Sequence, residues 1–132
     1  MQDSNNEYFE FSRPEVQALV DPNSQTILDV GCASGIFGSQ IKQKLGAEVW
    51  GIEPVEDIGE KAKEVIDKVF IGRVEDHIHQ LPDKYFDSII FSDVLEHLED
   101  PYSILDLVKD KLSKNGEIIA SIPNVRHWSV CL

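Results

Sequence analysis

The stretch Ile27-Leu28-Asp29-Val30-Gly31-Cys32-Ala33-Ser34-Gly35 constrains the fold more than any other part of this chain. A short apolar run ends in a glycine-punctuated turn. A helical pattern follows, with Phe37, Ile41 and Leu45 on one face and Gly46 as its stop. Strand, turn and helix in that order bring backbone close to a nucleotide-like ligand in α/β proteins. Glycine is needed where a side chain would fill the ligand's space. The spacing here is G-x-x-x-G. The dinucleotide fingerprint G-x-G-x-x-G would need glycine at Ala33 and a small residue at Ile36, and a phosphate-cradling loop would need Gly-Lys-Ser/Thr after the turn. The chain has none of these, so the expected ligand is nucleoside-like and lacks a pyrophosphate.

A second signal lies downstream. Glu48-Val49-Trp50-Gly51-Ile52-Glu53-Pro54 reads as a short strand ending in a carboxylate, which can accept hydrogen bonds from both ribose hydroxyls. Asp29-x-Gly31-x-x-x-Gly35 followed by Glu53 resembles the first motif of the Rossmann-like S-adenosylmethionine-dependent methyltransferases and its acidic partner. Phe86-Asp87-Ser88-Ile89-Ile90-Phe91-Ser92-Asp93-Val94-Leu95-Glu96-His97-Leu98 is similar to that family's fourth-strand motif. Leu112-x-x-x-Gly116-Glu117-Ile118-Ile119 is similar to its fifth-strand motif. Each motif alone is weak. Their order and spacing together carry the resemblance.

The periodicity predicts strands over 26–30, 48–52, 68–71, 86–91 and 117–122. It predicts helices starting near Ser12, after Gly35, over 58–66 and from Pro101 to Lys111, with a short helix or turn over 75–80. Ser12 and Asp100 serve as caps, and Ile58, Ala62, Val65 and Ile66 face inward. Strands alternating with helices give a doubly wound α/β fold with a mostly parallel sheet and right-handed crossovers. The implied strand order is 3-2-1-4-5, with ligands at the carboxyl ends of the strands. The chain reads as one domain over 1–132. The family usually adds two strands after the fifth, and they are not apparent here. The expectation is a C-terminally truncated domain whose fifth strand is a bare edge, with two outcomes open. The edge pairs with another chain in self-association, or the segment 124–132 covers it.

Twenty-four acidic residues against twelve basic ones give a net charge of −12, which argues against nucleic acid and anionic membrane surfaces as partners. No apolar run is long enough to span a membrane, and the polar N-terminus is no secretory signal. Cys32 and Cys131 are far apart and form no metal-ligand spacing, which fits a reducing cytoplasm.

The resemblance implies S-adenosylmethionine as cofactor. It implies a contact set of Asp29, Gly31, Cys32, Ala33, Gly35, Glu53, Pro54, Val74, Glu75, Ser92 and Asp93. Asp29 either meets the cofactor or fixes the loop through backbone N–H groups. Cys32 lies in the loop with its backbone toward the cofactor, since methyl transfer needs no covalent enzyme intermediate. Gly72-Arg73-Val74-Glu75-Asp76 resembles the adenine-reading segment, although Arg73 stands where the family often has an acid. His97 has three readings: general base, metal ligand with Glu96, or loop hydrogen bond. No metal is expected. His77 and His79 read as surface residues. His127-Trp128 lies where the family meets substrate, and Tyr8, Phe9 and Phe11 lie either in a lid or against the sheet edge. The function implied is methyl transfer to a small-molecule or glycan-type acceptor. The alternatives are a cofactor-binding fragment without transfer, or another nucleoside-dependent transferase on the same fold.

Overall fold

Strand β1, Thr26–Val30, is buried from its second residue onward, as expected of a central parallel strand with both faces covered. It pairs in parallel with β2, Glu48–Glu53, on one side and with β4, Phe86–Ser92, on the other. β3, Lys68–Ile71, lies outside β2, and β5, Leu112–Ile122, lies outside β4. The five parallel strands take the order 3-2-1-4-5. A sixth, β6 (Arg126–Val130), pairs antiparallel with β5. The computed structural model describes residues 14–122 and 126–130, with side chains through Ala120. The expected Ser12 cap, Tyr8, Phe9, Phe11, Cys131 and the side chains of His127 and Trp128 lie outside the described residues.

β6 corrects one expectation. A strand follows β5, and it answers the question of the bare edge: the segment after residue 122 covers it, with Ile118 opposite Val130 and Ile122 opposite Arg126. β6 covers the edge of β5 from Ile118 to Ile122. The fifth strand also starts earlier than expected. Leu112 already pairs with Phe86, and Glu117 with Ser88, so a register shift absorbs residues 113–116.

The helices are α1 (Pro14–Gln17), α2 (Ile36–Leu45), α3 (Glu56–Ala62), α4 (Val74–His77) and α5 (Pro101–Val108). α2 ends where Gly46 takes a left-handed conformation and returns its N–H to Lys42 O. α5 starts at Asp100, whose side chain accepts from the Ser103 N–H, with Pro101 in the first turn. α3 starts two residues before the expected position, with Glu56 and Asp57 in the first turn, where the helix dipole favours acids. It ends at Ala62, so Val65 is 43% exposed and not inward, while Ile66 still returns to the core. No described helix is long and apolar enough to cross a membrane.

Alternating strand residues build a core on each face of the sheet. Leu28, Val30, Ile89, Phe91, Ile118 and Ala120 pack on one side with Ile104 and Val108 of α5. Ile27, Val49, Ile90 and Ile119 pack on the other with Phe37 and Ile41 of α2. The strand ends and the turns after them are thereby fixed in space, and there the candidate site forms.

Candidate functional site

A cavity of about 470 Å³ opens at the carboxyl ends of β1 to β4. The turn after β1 forms its floor. Gly31, Ala33 and Gly35 have φ of 82°, 51° and 89°, so every second residue of the turn is left-handed. This winding aims successive N–H groups at the end of β2. The Gly31 and Cys32 N–H groups donate to Ile52 O at 2.8 and 3.1 Å. The Ala33 N–H donates to Glu53 Oε1 at 2.9 Å, and the Val55 N–H to Glu53 Oε2 at 3.1 Å. Glu53 is 7% exposed and joins both turns. Each carboxylate oxygen can still accept a further bond.

A Cβ at Gly31 would collide with Val94 and lie 3.1 Å from Ser92 O. Gly31 is thus a point of close approach between the β1 and β4 turns. Gly35 plays a different part from the one expected. It stands at the start of α2 against α3, where a Cβ would lie 3.1 Å from Ala62 Cα and 2.7 Å from Val65 Cγ2. Every other expected cofactor residue lines the cavity, and Gly35 does not.

Asp29 is buried at the end of β1 and accepts from Ser92 Oγ at 2.9 Å. Asp93 is buried too, in a left-handed conformation with φ of 57°. Such backbone in a residue other than glycine concentrates at functional sites. Cys32 points into the core, where its Sγ and Cβ would lie 2.6 and 2.8 Å from a Cβ at Gly51. Burial pushes its thiol well above the ordinary range, and the Asp29 and Glu53 charges push it the same way. A thiolate is strongly disfavoured there.

The wall after β3 carries Arg73, Val74 and Glu75. Val74 is buried. Arg73 Nη2 meets Glu75 Oε2 at 2.9 Å, while Glu75 Oε1 is buried without a hydrogen-bond partner. A buried acceptor left open in a cavity wall calls for a ligand donor or an ordered water. His97 stands in the 3₁₀ turn Leu95–His97 at the cavity mouth, 72% exposed, with Nε2 3.5 Å from Glu96 Oε2. Among the described residues, no group of three or more His, Cys, Asp or Glu side chains converges on a metal-sized site. His79 is exposed as expected, but His77 is half-buried and bonded through its ring.

Asp29, Glu53, Glu75 and Asp93 face the single guanidinium of Arg73 across the lining, so the cavity favours a cation. The apolar part went unread in the sequence. Ile36, Phe37, Val55, Ile58, Val94 and Leu98 also line the cavity. Each follows a polar motif by a few residues. Their signal was that position alone, since apolar residues there look the same whether they face a core or a ligand.

A family model described as a methyltransferase domain matches residues 5–129. The ubiquinone biosynthesis O-methyltransferase of Schizosaccharomyces pombe mitochondria is 36% identical over 107 residues, covering 75% of this chain and 38% of that protein. The ubiquinone biosynthesis O-methyltransferase of Hydrogenovibrio crunogenus is 30% identical over 115 residues, covering 83% of this chain and 47% of that protein. The chain therefore spans less than half the length of these two relatives. A solved SAM-dependent methyltransferase from Archaeoglobus fulgidus superposes with a TM-score of 0.74 at 26% identity, covering 93% of this chain and 58% of that one.

Proposed function

The chain belongs to the methyltransferase-domain family, and from that premise we propose that it binds S-adenosylmethionine and transfers a methyl group to a small hydroxylated acceptor. The observation that carries the reading is Glu53, buried at the cavity floor and tied to both neighbouring turns, with lone pairs left for a diol. When bound, the cofactor supplies a methyl group activated by a sulfonium charge. The four carboxylates of the lining suit that charge. In this reading Glu53 and Pro54 hold the ribose, and Val74 packs on the base. The open Oε1 of Glu75 takes an N–H donor. Asp29, Gly31, Cys32, Ala33, Ser92 and Asp93 line the remaining arm. Gly35 acts indirectly, by seating α2.

Such transfer rests mainly on holding donor and acceptor in line. In this reading His97, at the cavity mouth, takes the proton of an acceptor hydroxyl. The relatives named as ubiquinone O-methyltransferases favour a hydroxyl on a small molecule over a glycan. The buried free thiol of Cys32 suits a reducing cytoplasm. A second reading, cofactor binding without transfer, draws on the exposure of His97.

Calorimetric titration with S-adenosylmethionine and S-adenosylhomocysteine tests the binding step. Saturable heat is expected, and folded protein that gives none at millimolar ligand would end the reading. Incubation with catechol-type acceptors separates the two readings: formation of S-adenosylhomocysteine above the no-acceptor rate marks transfer.

A further inference from the structure

The sequence places His77 on the surface, and the cavity does not include it. Its ring is nevertheless committed on three sides. Nε2 lies 2.9 Å from Ile71 O, and Nδ1 lies 3.3 Å from the atom placed as Gln80 Oε1. The ring packs against Phe70 at 5.2 Å between centroids. Gly72, with φ of 142°, makes room for it, since a Cβ there would lie 2.5 Å from Nε2. The Ile71 carbonyl can only accept, so Nε2 donates to it, and a neutral ring then accepts at Nδ1 from the Gln80 side-chain N–H with that amide turned over.

These contacts close a loop from residue 71 to residue 77, and the loop contains Arg73, Val74 and Glu75, the β3-side wall of the cavity. Burial of Val74 and the Arg73–Glu75 pair also hold that wall, but regular structure contributes little. α4 is four residues long and cannot sustain itself by helical propensity. β3 is an edge strand of the sheet. The Gly72 N–H donates to Glu53 O at 2.9 Å and fixes the start of the loop. The imidazole fixes its end.

We propose that His77 is a positioning residue: its ring latches the β3–α4 turn and sets where Val74 and the open Glu75 oxygen stand in the ligand cavity. The ligand half of this inference rests on the cavity being a cofactor site. The latch itself does not.

The test compares His77→Ala, His77→Gln and Gly72→Ala with wild type. Amide hydrogen exchange in ligand-free protein reads the latch directly. His77→Ala should speed exchange over 72–76 while strands β1 and β4 keep their protection. Gly72→Ala, which evicts the ring, should do the same with His77 present. His77→Gln should restore protection, because its side-chain N–H can donate to Ile71 O. S-adenosylhomocysteine affinity should fall about tenfold in His77→Ala, the equivalent of one net hydrogen bond, and largely recover in His77→Gln. Wild-type exchange in His77→Ala overturns the proposal. So does an equal loss of affinity in the alanine and glutamine variants, which marks a bulk structural role. If wild type binds no S-adenosylhomocysteine, the cofactor reading fails, and the exchange result alone decides the latch.

Discussion

Ala33 shows how a single methyl group is weighed in the turn after β1. Its φ of 51° costs an alanine roughly 1–2 kcal/mol that glycine would not pay. Glycine in turn loses about 0.4–1 kcal/mol through the freedom of its unfolded chain. Ala33→Gly should therefore leave stability unchanged or raise it by up to about 1.6 kcal/mol in urea unfolding. Gly35→Ala should cost about 2 kcal/mol or more, because strain at φ of 89° adds to contact with the Ala62 backbone. A Gly35→Ala loss no larger than the Ala33→Gly gain would mean that packing on α3 does not set the cost. Glu53 was legible in the sequence as a ribose acceptor, but its hold on two backbone N–H groups was not. Sequence reading expects Glu53→Ala to spare the fold. With both N–H groups left unpaired, a stability loss of about 1–3 kcal/mol is expected beside the loss of S-adenosylhomocysteine affinity. Thermal melting and calorimetry on the same sample measure the two, and a variant that melts with wild type would show water replacing the carboxylate. The sequence names a residue's chemistry readily. It does not show which backbone groups come to rest beside it.

Elements were legible wherever period and punctuation agreed. Asp100-Pro101 and Gly46 mark helix ends that the structure keeps. The end of α3 was missed because Val65 and Ile66 continue an apolar pattern after the helix has stopped, and only one of them reaches the core. The start of β5 was missed for a related reason. Asn115-Gly116 looks like a turn between elements, yet it sits inside a strand that bulges. A Cβ at Gly116 would lie 2.8 Å from Phe86 O, so the glycine serves strand approach and not chain reversal. β6 lay beyond any periodicity argument, since five residues pair only because β5 offers an edge. That origin is testable. A chain ending at Ile122 leaves the whole β5 edge open, with buried Ile118 and Ile119 beside it. Light scattering across a concentration series should show this shortened chain associating more strongly than the full one. Identical scattering would mean that β6 protects nothing.

At the scale of the whole molecule, one carboxylate ties the sheet together at the end away from the cavity. Asp87, the second residue of β4, accepts from the Gln25 N–H at 2.7 Å, the Thr26 N–H at 3.3 Å and Ser113 Oγ at 2.6 Å. It thus joins the starts of β1, β4 and β5. In the sequence it belongs to the stretch that resembles a family motif, and nothing there separates a residue that holds the sheet from one that meets a ligand. Burial alone would push its carboxyl up, but the Ser113, Gln25 and Thr26 donors outweigh that and hold it below the ordinary carboxylate range. Asp67 is depressed in the same way. Burial opposes ionisation there, and Lys42 with the Val49 N–H overcomes it. The sign follows from linkage. Below the unfolded value of about 3.9 the unfolded chain binds protons that the native state refuses, so stability is held above that pH and lost as pH falls through the native values. Asp87→Asn removes one such group while keeping its shape. It should cost about 1.5–3 kcal/mol at pH 7, the scale of hydrogen bonds to a charged acceptor. The gap to wild type should narrow as the medium is acidified below about pH 4, because protonated Asp87 has lost what asparagine never had. Urea unfolding of both proteins at pH 7 and at pH 3 measures the gap twice. A gap that stays constant between the two would show that Asp87 holds the strands by shape and not by charge, and that the acid limb of the stability curve belongs to other carboxylates of this strongly anionic chain.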